Sequence, residues 1–486
     1  MFVIFYCVTE KLTYTLKLLG LLLSLTLLVV THELGHFTMA RIFGVRVRQF
    51  FMFFDWGFAL LRAKKYDGRW HFQFLQRKTP DEWYEKEPDH TVWGIGWVPL
   101  GGYCDIAGMI DESKGAKDLE STPQPWEYRS KPAWQRLCII SGGVLVNFLS
   151  ALLIFSCIFA HWGEDTLPMR NATLGYDYHQ VLIDHGFENG DIIYAIDGRE
   201  MNDVAMAQNA LLLDKPSIVT VQRRYLSDSL RRPDSLALVD IPLDKDFIET
   251  LLKENPTQLM AVRMPMVISE FVGGSAAQQA GLQSGDSIVS IAGVRTPSYT
   301  EISGELAKHR KESIDVGYYR HGTLQHATVD LRGDGKLGVY FKQPIEVFNV
   351  VHTDYTFLQA IPAGISHGWE TMVTYVSSLK LLFAPGGAQN LGGFGALGSM
   401  FPKTWDWYRF WNITAFLGII LAFMNIIPIP GLDGGHILFT LWEIVTRRKP
   451  SDRFLEIAQM TGMILLLGLL LLANGNDLLR WLRGKF

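Results

Sequence analysis

Two histidines and a glutamate near the amino terminus have the spacing of a metal site. His32, Glu33 and His36 form the pattern H-E-x-x-H, close to the end of a long apolar segment. On an α-helix, residues i and i+4 share a face, so His32 and His36 can hold one ion. Glu33 projects about 100° away from His32, so it can reach a water beside that ion without being a ligand. Two imidazoles and a nearby carboxylate are the groups that zinc-assisted peptide hydrolysis requires.

The surroundings of the pattern argue against a chance match. A chain of 486 residues can contain three fixed positions in five by accident. Charged and imidazole groups are costly inside a bilayer, however, and those found there are functional by default. We therefore interpret the pattern as a metal site.

A carboxylate that could complete this site follows a later apolar segment. Pro428 and Pro430 must break that helix, and Gly431 loosens the backbone, so Asp433 lies at an opened helix end. Two histidines and one carboxylate leave a tetrahedral zinc with one open position. We favour Asp433 as the third ligand over two alternatives, a helix cap at this position and ligation by His436.

The composition indicates membrane spans mixed with soluble domains. Hydrophobic residues make up 48% of the chain and the mean hydropathy is +0.12, which is modest for a pure membrane bundle. The net charge of -4 does not point to nucleic acid. None of the four cysteines lies between residues 161 and 409, so no disulfide framework is implied.

Four apolar segments are long enough to cross a bilayer. We predict spans over residues 12–43, 137–160, 410–432 and 457–476. The first is interpreted as a retained span, because no basic region precedes it and no small-residue cleavage site follows it. Asn147, in the second span, is interpreted as a polar contact between helices.

Residues 93–104, between the first two spans, are rich in glycine and aromatic residues. Alternating glycine and apolar residues, followed by a proline and a glycine pair, predict a β-hairpin that dips toward the membrane. Its edge could pair with an extended substrate strand. The predicted substrate-binding positions in this segment are Gly94, Gly96, Gly101 and Gly102. An ordinary amphipathic loop is the alternative.

An internal repeat lies between the second and third spans. Residues 186–198 align with residues 281–293 at a constant offset of 95, and both contain G-x-x-x-G-D-x-I-x-x-I-x-G. This pattern resembles the core of bacterial PDZ domains, so we predict two tandem PDZ-like α/β domains over residues 165–258 and 259–345. PDZ domains bind peptides by adding a strand to a sheet edge. The alternative is a turn–strand motif in another kind of β-rich domain.

Two further features concern the membrane. Residues 346–405 contain an amphipathic helix that is expected to lie on the membrane surface or, equally, to pack on a domain core. The connection between the last two spans is basic and indicates a cytoplasmic loop. Its basic residues are Arg447, Arg448, Lys449 and Arg453. The PDZ-like pair then lies on the opposite side, and the metal site lies near the cytoplasmic side.

Together these motifs resemble the site-2 protease family of intramembrane zinc metalloproteases, in its bacterial RseP-like branch. Residues 32–36 match its H-E-x-x-H, residues 425–434 match its N-x-x-P-x-P-x-L-D-G, and residues 99–103 match its P-L-G-G-Y. The chain departs from the family's G-P-x-x-N-F motif, because Gly143-Val144 replaces the usual Gly-Pro. The resemblance covers almost the whole chain.

The resemblance implies a multi-span α-helical membrane protein of the bacterial inner membrane, with four transmembrane helices, a re-entrant β-hairpin and periplasmic PDZ-like domains. It implies a zinc endopeptidase in regulated intramembrane proteolysis, with Glu33 as base and Asn425 on substrate backbone or oxyanion. Its expected substrates are single-span proteins such as anti-sigma factors, or remnant signal peptides. The PDZ-like pair would exclude bulky outer domains. A non-enzymatic PDZ-bearing scaffold and an ion transporter are the alternatives.

Overall fold

The computed structural model describes most of the chain. It describes residues 2–99, 101–109, 122–225, 235–244, 246–254, 259–272, 274–309, 312–331, 336–379, 391–402 and 404–482. The chain divides into two compact units. The first comprises residues 1–163, 354–376 and 389–486, and the second comprises residues 164–353 and 377–388.

The first unit begins with one long helix and a five-stranded sheet. These are α1 (Phe2–Ile42), β1 (Val47–Met52), β2 (Phe54–Tyr66), β3 (Arg69–Gln76), the short helix α2 (Asp81–Glu85), β4 (Val92–Val98) and β5 (Tyr103–Ile106). The order across the sheet is β3-β2-β4-β1-β5. Strand β1 runs parallel to β4 and antiparallel to β5. The long helix α3 (Ala133–Trp162) follows.

The prediction of a β-hairpin over residues 93–104 is wrong. Strands β4 and β5 do not pair with one another, because β1 lies between them and pairs with both. Phe51 of β1 lies between the two strands. Its ring occupies the space that a Cβ on Gly94 would need, and its carbonyl oxygen would lie 2.5 Å from a Cβ on Gly102. Because Gly94 and Gly102 have no side chains, β1 can pack closely between β4 and β5.

The second unit consists of two β-rich halves. The first half contains β6 (Glu164–Thr166), β7 (Tyr176–Tyr178), α4 (Gln180–Asp184), β8 (Ile192–Ile196), β9 (Arg199–Glu200), α5 (Val204–Leu213), β10 (Ile218–Tyr225), β11 (Ser235–Pro242), α6 (Phe247–Glu254) and β12 (Met260–Val262). The second contains β13 (Met266–Phe271), α7 (Ala276–Gln279), β14 (Ser287–Ile291), β15 (Val294–Arg295), α8 (Tyr299–Lys308), β16 (Ser313–Arg320), β17 (Thr323–Asp330), β18 (Val339–Phe341), α9 (Pro344–Val347) and β19 (Val351–Thr353). Strands β8, β10 and β11 pair as β14, β16 and β17 do. The PDZ assignment stays a prediction.

The same buried ion pair stabilises both halves. Asp191 contacts Arg223 at 2.7 Å, and Asp286 contacts Arg320 at 2.6 Å. Each aspartate belongs to the repeated Gly-Asp pair. Burial alone would raise the pKa of Asp286, but hydrogen bonds from Arg320 and the local backbone hold that pKa below its usual value. Ionised Asp286 therefore adds to the free energy of unfolding above the pKa that this residue has in the unfolded chain. This contribution is lost as the pH falls through the lower pKa that Asp286 has in the folded protein.

The first unit is completed by five helices. These are α10 (Phe357–Ser378), α11 (Phe394–Met400), α12 (Trp407–Ile426), α13 (Asp433–Thr446) and α14 (Asp452–Leu482). Within the described residues, the four helices α1, α3, α12 and α14 are long and apolar enough to cross a membrane, in the regions predicted. Helix α12 ends at Ile426, before the predicted end at residue 432, because Pro428 and Pro430 cannot continue it.

Helix α10 is the amphipathic helix predicted for residues 346–405. A Cβ on Gly364 would meet the backbone of Ser156 in α3, and one on Gly368 would meet Leu152. The opposite side is exposed, with Leu358 at 78% and Trp369 at 56%. The glycines of α10 thus pack against α3, and the side of α10 that carries Leu358 and Trp369 is exposed. A position on the membrane surface stays a prediction.

Candidate metal centre

Helices α1 and α3 approach each other closely beside the H-E-x-x-H pattern. A Cβ on Gly35 would collide with the Gly142 carbonyl, and a Cβ on Gly142 would stand 2.7 Å from the Gly35 carbonyl oxygen. Small residues allow such backbone approach between membrane helices. The contact presses the side of α1 that carries His32 and His36 against α3.

The structure brings His32, His36 and Asp433 together. The two histidine Nε2 atoms lie 3.1 Å apart. Asp433 Oδ2 lies 3.1 Å from His32 Nε2 and 3.3 Å from His36 Nε2. Three atoms that bind one tetrahedral zinc at about 2.0–2.1 Å would be about 3.3–3.4 Å apart. The triangle of ligand atoms therefore has the size that a zinc ion requires.

The surroundings of Asp433 also fit a cation. Its Oδ2 atom is buried and has no hydrogen-bond partner among the described residues. A buried carboxylate oxygen without a donor is costly unless a positive charge compensates it. His436, the alternative ligand, lies nearby but does not belong to the group of clustered ligand atoms.

One face of α3 contacts both imidazoles. His36 Nδ1 lies 3.0 Å from the Ile139 carbonyl oxygen, which holds the N–H there and leaves Nε2 free for a metal. Asn147 is fully buried, and its side-chain nitrogen lies 3.4 Å from His32 Nδ1. Asn147 therefore does more than make the helix contact predicted for it: its side chain also contacts the His32 ring.

The same face of α3 anchors the helix that carries Asp433. Arg136 of α3 and Glu443 of α13 form an ion pair of 2.5 Å, and both side chains are largely buried. Residues 136, 139, 143 and 147 share one side of a helix by their spacing. Sequence reasoning missed the roles of Arg136 and Glu443. An arginine before an apolar segment is typical of any span boundary, and nothing local indicates its partner.

A cavity of about 920 Å³, here called the first cavity, opens beside the three ligand atoms. Its lining includes His32, Glu33, His36, Tyr103 and Asp433. The Glu33 carboxylate accepts a hydrogen bond from the backbone of Cys104, which holds it beside β5. Glu33 does not belong to the clustered ligand atoms. Its carboxylate is therefore available to exchange protons with a molecule in the cavity.

The predicted substrate-binding residues are more scattered. They are Gly94, Gly96, Gly101, Gly102 and Asn425. Among them, Gly102 lines the first cavity as the structure describes it. Gly94 and Gly96 have a packing role, because a Cβ would meet the Phe51 ring or the Phe54 carbonyl. Asn425 is buried in the last turn of α12. Their contact with substrate stays a prediction.

We expect Gly143→Ala to weaken zinc binding by about 100-fold, the upper range for groups that orient ligands. A Cβ would stand 2.5 Å from His36 Nε2 and 2.7 Å from His32 Cε1, so the rings must leave their positions. Zinc titration of the purified variant checks this. The matched control is Gly468→Ala in α14, where a Cβ meets nothing within 4 Å. Equal losses in both variants would indicate general damage to membrane helices instead.

Comparison with known proteins extends the similarity beyond the metal motif. The sequence model of peptidase family M50 matches residues 20–76 and 80–469. Protease RseP of Yersinia pestis is 27% identical over 485 residues, which cover 96% of this chain and 98% of that protein. Regulator of sigma-E protease RseP of Salmonella typhimurium is 27% identical over 484 residues, with the same coverage. A Ralstonia nicotianae protein named as a zinc metalloprotease is 25% identical over an alignment of 494 positions, which covers 96% of this chain and 98% of that protein.

Proposed function

Because the chain belongs to peptidase family M50 and is a zinc metalloprotease, we propose that it cuts the transmembrane segments of single-span membrane proteins. The observation that carries this proposal is the location of the ligand triangle. His32 and His36 lie within α1, a helix long and apolar enough to cross a membrane. Asp433 begins the helix that follows the α12 span. A peptidase with ligands inside a span meets its substrate there.

Each polar residue of the site has a role in this reaction. His32, His36 and Asp433 would hold zinc, which when bound supplies a Lewis acid that polarises the scissile carbonyl. Glu33 accepts a proton from the attacking water and returns a proton to the leaving amine. Its hydrogen bond to the Cys104 backbone keeps the carboxylate in the first cavity during both transfers. Asn425 is proposed to bind substrate backbone or the developing oxyanion.

The substrate has to be extended before it is cut. A transmembrane helix satisfies its carbonyl groups internally, so an intact helix does not present them to the site. Strand β5 lies at an edge of its sheet, and Glu33 contacts this strand at Cys104. We therefore place the unwound substrate alongside β5, as an added strand. This role for residues 93–104 does not require the hairpin that was predicted.

The names of the relatives and the loop charge support a proposed cellular role. The name regulator of sigma-E protease favours substrates that resemble anti-sigma factors. Remnant signal peptides are the second class of proposed substrate. Basic residues between α13 and α14 favour a cytoplasmic location for that connection. The PDZ-like halves would then be periplasmic in a protein of the bacterial inner membrane. There they would exclude substrates with bulky outer domains.

Cleavage is expected only after a substrate has lost its outer domain. A tagged single-span substrate is prepared with and without a folded outer domain, and both forms are incubated with the protein in vesicles. The trimmed form should be cut within its transmembrane segment, and a membrane-permeant zinc chelator should stop the reaction until zinc is restored. Cleavage outside that segment, or cleavage that persists without zinc, would contradict the proposal. A non-enzymatic scaffold would cut neither form.

A further inference from the structure

A second cavity of about 550 Å³ lies beside the first. Its lining includes Arg46, Arg48, Gln49, Lys64, His90 and Asp105. Gln49 and Asp105 also line the first cavity. The two cavities therefore adjoin one another at Gln49 and Asp105.

The sheet register explains why the two cavities share these lining residues. Tyr103 pairs with Phe51, and Asp105, two residues further along β5, pairs with Gln49. Side chains two residues apart in a strand project to the same face. Tyr103 and Asp105 thus form neighbouring rows on one face of the sheet. The first cavity borders both rows, and the second cavity begins at the Asp105 row.

Hydrogen bonds cross the boundary between the cavities. The Tyr103 hydroxyl lies 3.0 Å from Gln49 Oε1. The side-chain nitrogen of Gln49 donates to the hydroxyl of Tyr84, which lines the second cavity. The boundary between the two cavities is therefore lined by polar side chains.

The second cavity contains a buried positive charge. Lys64 is only 1% exposed. Its ammonium group donates to the carbonyl oxygens of Trp83 and Lys86, and it forms no ion pair with any residue in the described part of the chain. Burial lowers the pKa of Lys64, and the Glu87 carboxylate attracts the ammonium group without forming an ion pair with it, so the charged form is costly in this position. An anionic group in the cavity would offset that cost.

Two arginines add to this charge. Arg48 is exposed and forms no ion pair with the residues that the structure describes. Arg46 pairs with Asp89, whose side chain is 66% exposed. Asp105 is the acidic residue among the lining residues named above, and Arg46 is already paired, so Lys64 and Arg48 are the lining cations that form no ion pair among the described residues. The lining thus favours an anion.

We propose that the second cavity binds an aspartate or glutamate side chain of the substrate. Strand β5 contacts Glu33 at Cys104, and Ala107, directly after β5, lines the second cavity. Three residues of extended chain span about 10 Å. A substrate alongside β5 therefore brings a side chain about three residues from the cut bond into this cavity. The inference rests on the proposed function and names a specificity determinant for it.

The test compares glutamate and glutamine at one position of the substrate. A trimmed single-span substrate carries either residue at each position from two to five residues on both sides of the cut bond. At one position, wild type should cleave the glutamate form with a kcat/KM about tenfold higher. Arg48→Ala should bring this ratio close to one, and Arg48→Lys should restore most of it. Arg69→Ala, an exposed arginine that lines neither cavity, is the matched control and should keep the ratio.

A second variant completes the test, and each of the remaining outcomes has a definite meaning. Lys64→Met keeps most of the length of the side chain without its charge and should lower the same ratio. A wild type that cuts both forms equally at every position, or a ratio unchanged by both Arg48→Ala and Lys64→Met, would overturn the inference and leave the proposed function standing. If Arg48→Ala instead changes only the response to anionic phospholipid in the vesicles, the cavity binds headgroups and the inference is wrong. Failure of wild type to cut any substrate would contradict the proposed function itself.

Discussion

Glu33→Gln is expected to abolish cleavage while leaving zinc bound. Glutamine has nearly the same size and can still accept the hydrogen bond from the Cys104 backbone, but its amide cannot take a proton from water. General acid–base catalysis contributes about 10²–10⁴-fold, so kcat should fall by about a thousandfold. The check is single-turnover cleavage of a trimmed single-span substrate, with zinc quantified by mass spectrometry on the same preparation.

The control for this variant is Glu456→Gln. Glu456 is exposed on α14 and does not line the first cavity, so this variant should keep both zinc and cleavage. Zinc loss from Glu33→Gln would mean that Glu33 helps to hold the metal. Full activity in Glu33→Gln would mean that another group is the base. Either result would remove Glu33 from the role proposed for it.

Asp433→Asn is expected to lose both zinc and activity. The carboxylate places one anionic oxygen within 3.3 Å of both histidine Nε2 atoms. An amide oxygen carries no net charge and is a much poorer zinc ligand, and the open coordination position cannot replace it. Bound zinc should fall from about one per chain to a small fraction, and cleavage should fall by at least about a thousandfold because the Lewis acid is lost.

Two companion variants separate ligation from other effects at Asp433. His436→Gln should keep its zinc, because His436 does not belong to the clustered ligand atoms. Asp433→Glu keeps the charge but displaces the oxygen, so zinc should be bound more weakly than in wild type and more strongly than in Asp433→Asn. The ligand assignment fails if Asp433→Asn retains full zinc, or if His436→Gln loses it.

The sequence by itself determined the features that depend on local backbone geometry. Helical periodicity puts His32 and His36 on one face whatever surrounds them. Two prolines end α12 regardless of its neighbours, which leaves Asp433 beside a broken helix. Apolar length predicted the four helices that, in the described part of the chain, are long and apolar enough to cross a membrane. The constant offset of 95 residues predicted that the second unit would be built from two similar halves.

Only the tertiary structure decided which distant groups meet. Strand β1 separates β4 from β5, and no local pattern reveals a strand inserted from an earlier part of the chain. The Arg136–Glu443 pair, the contact of Asn147 with His32 and the second cavity all arise where separate elements pack. Periodicity describes which face a side chain occupies, whereas the partner on the other side of that face depends on how helices and strands are assembled. For that reason the clustering of His32, His36 and Asp433 could be predicted from the sequence, and the groups of α3 that contact the two histidines could not.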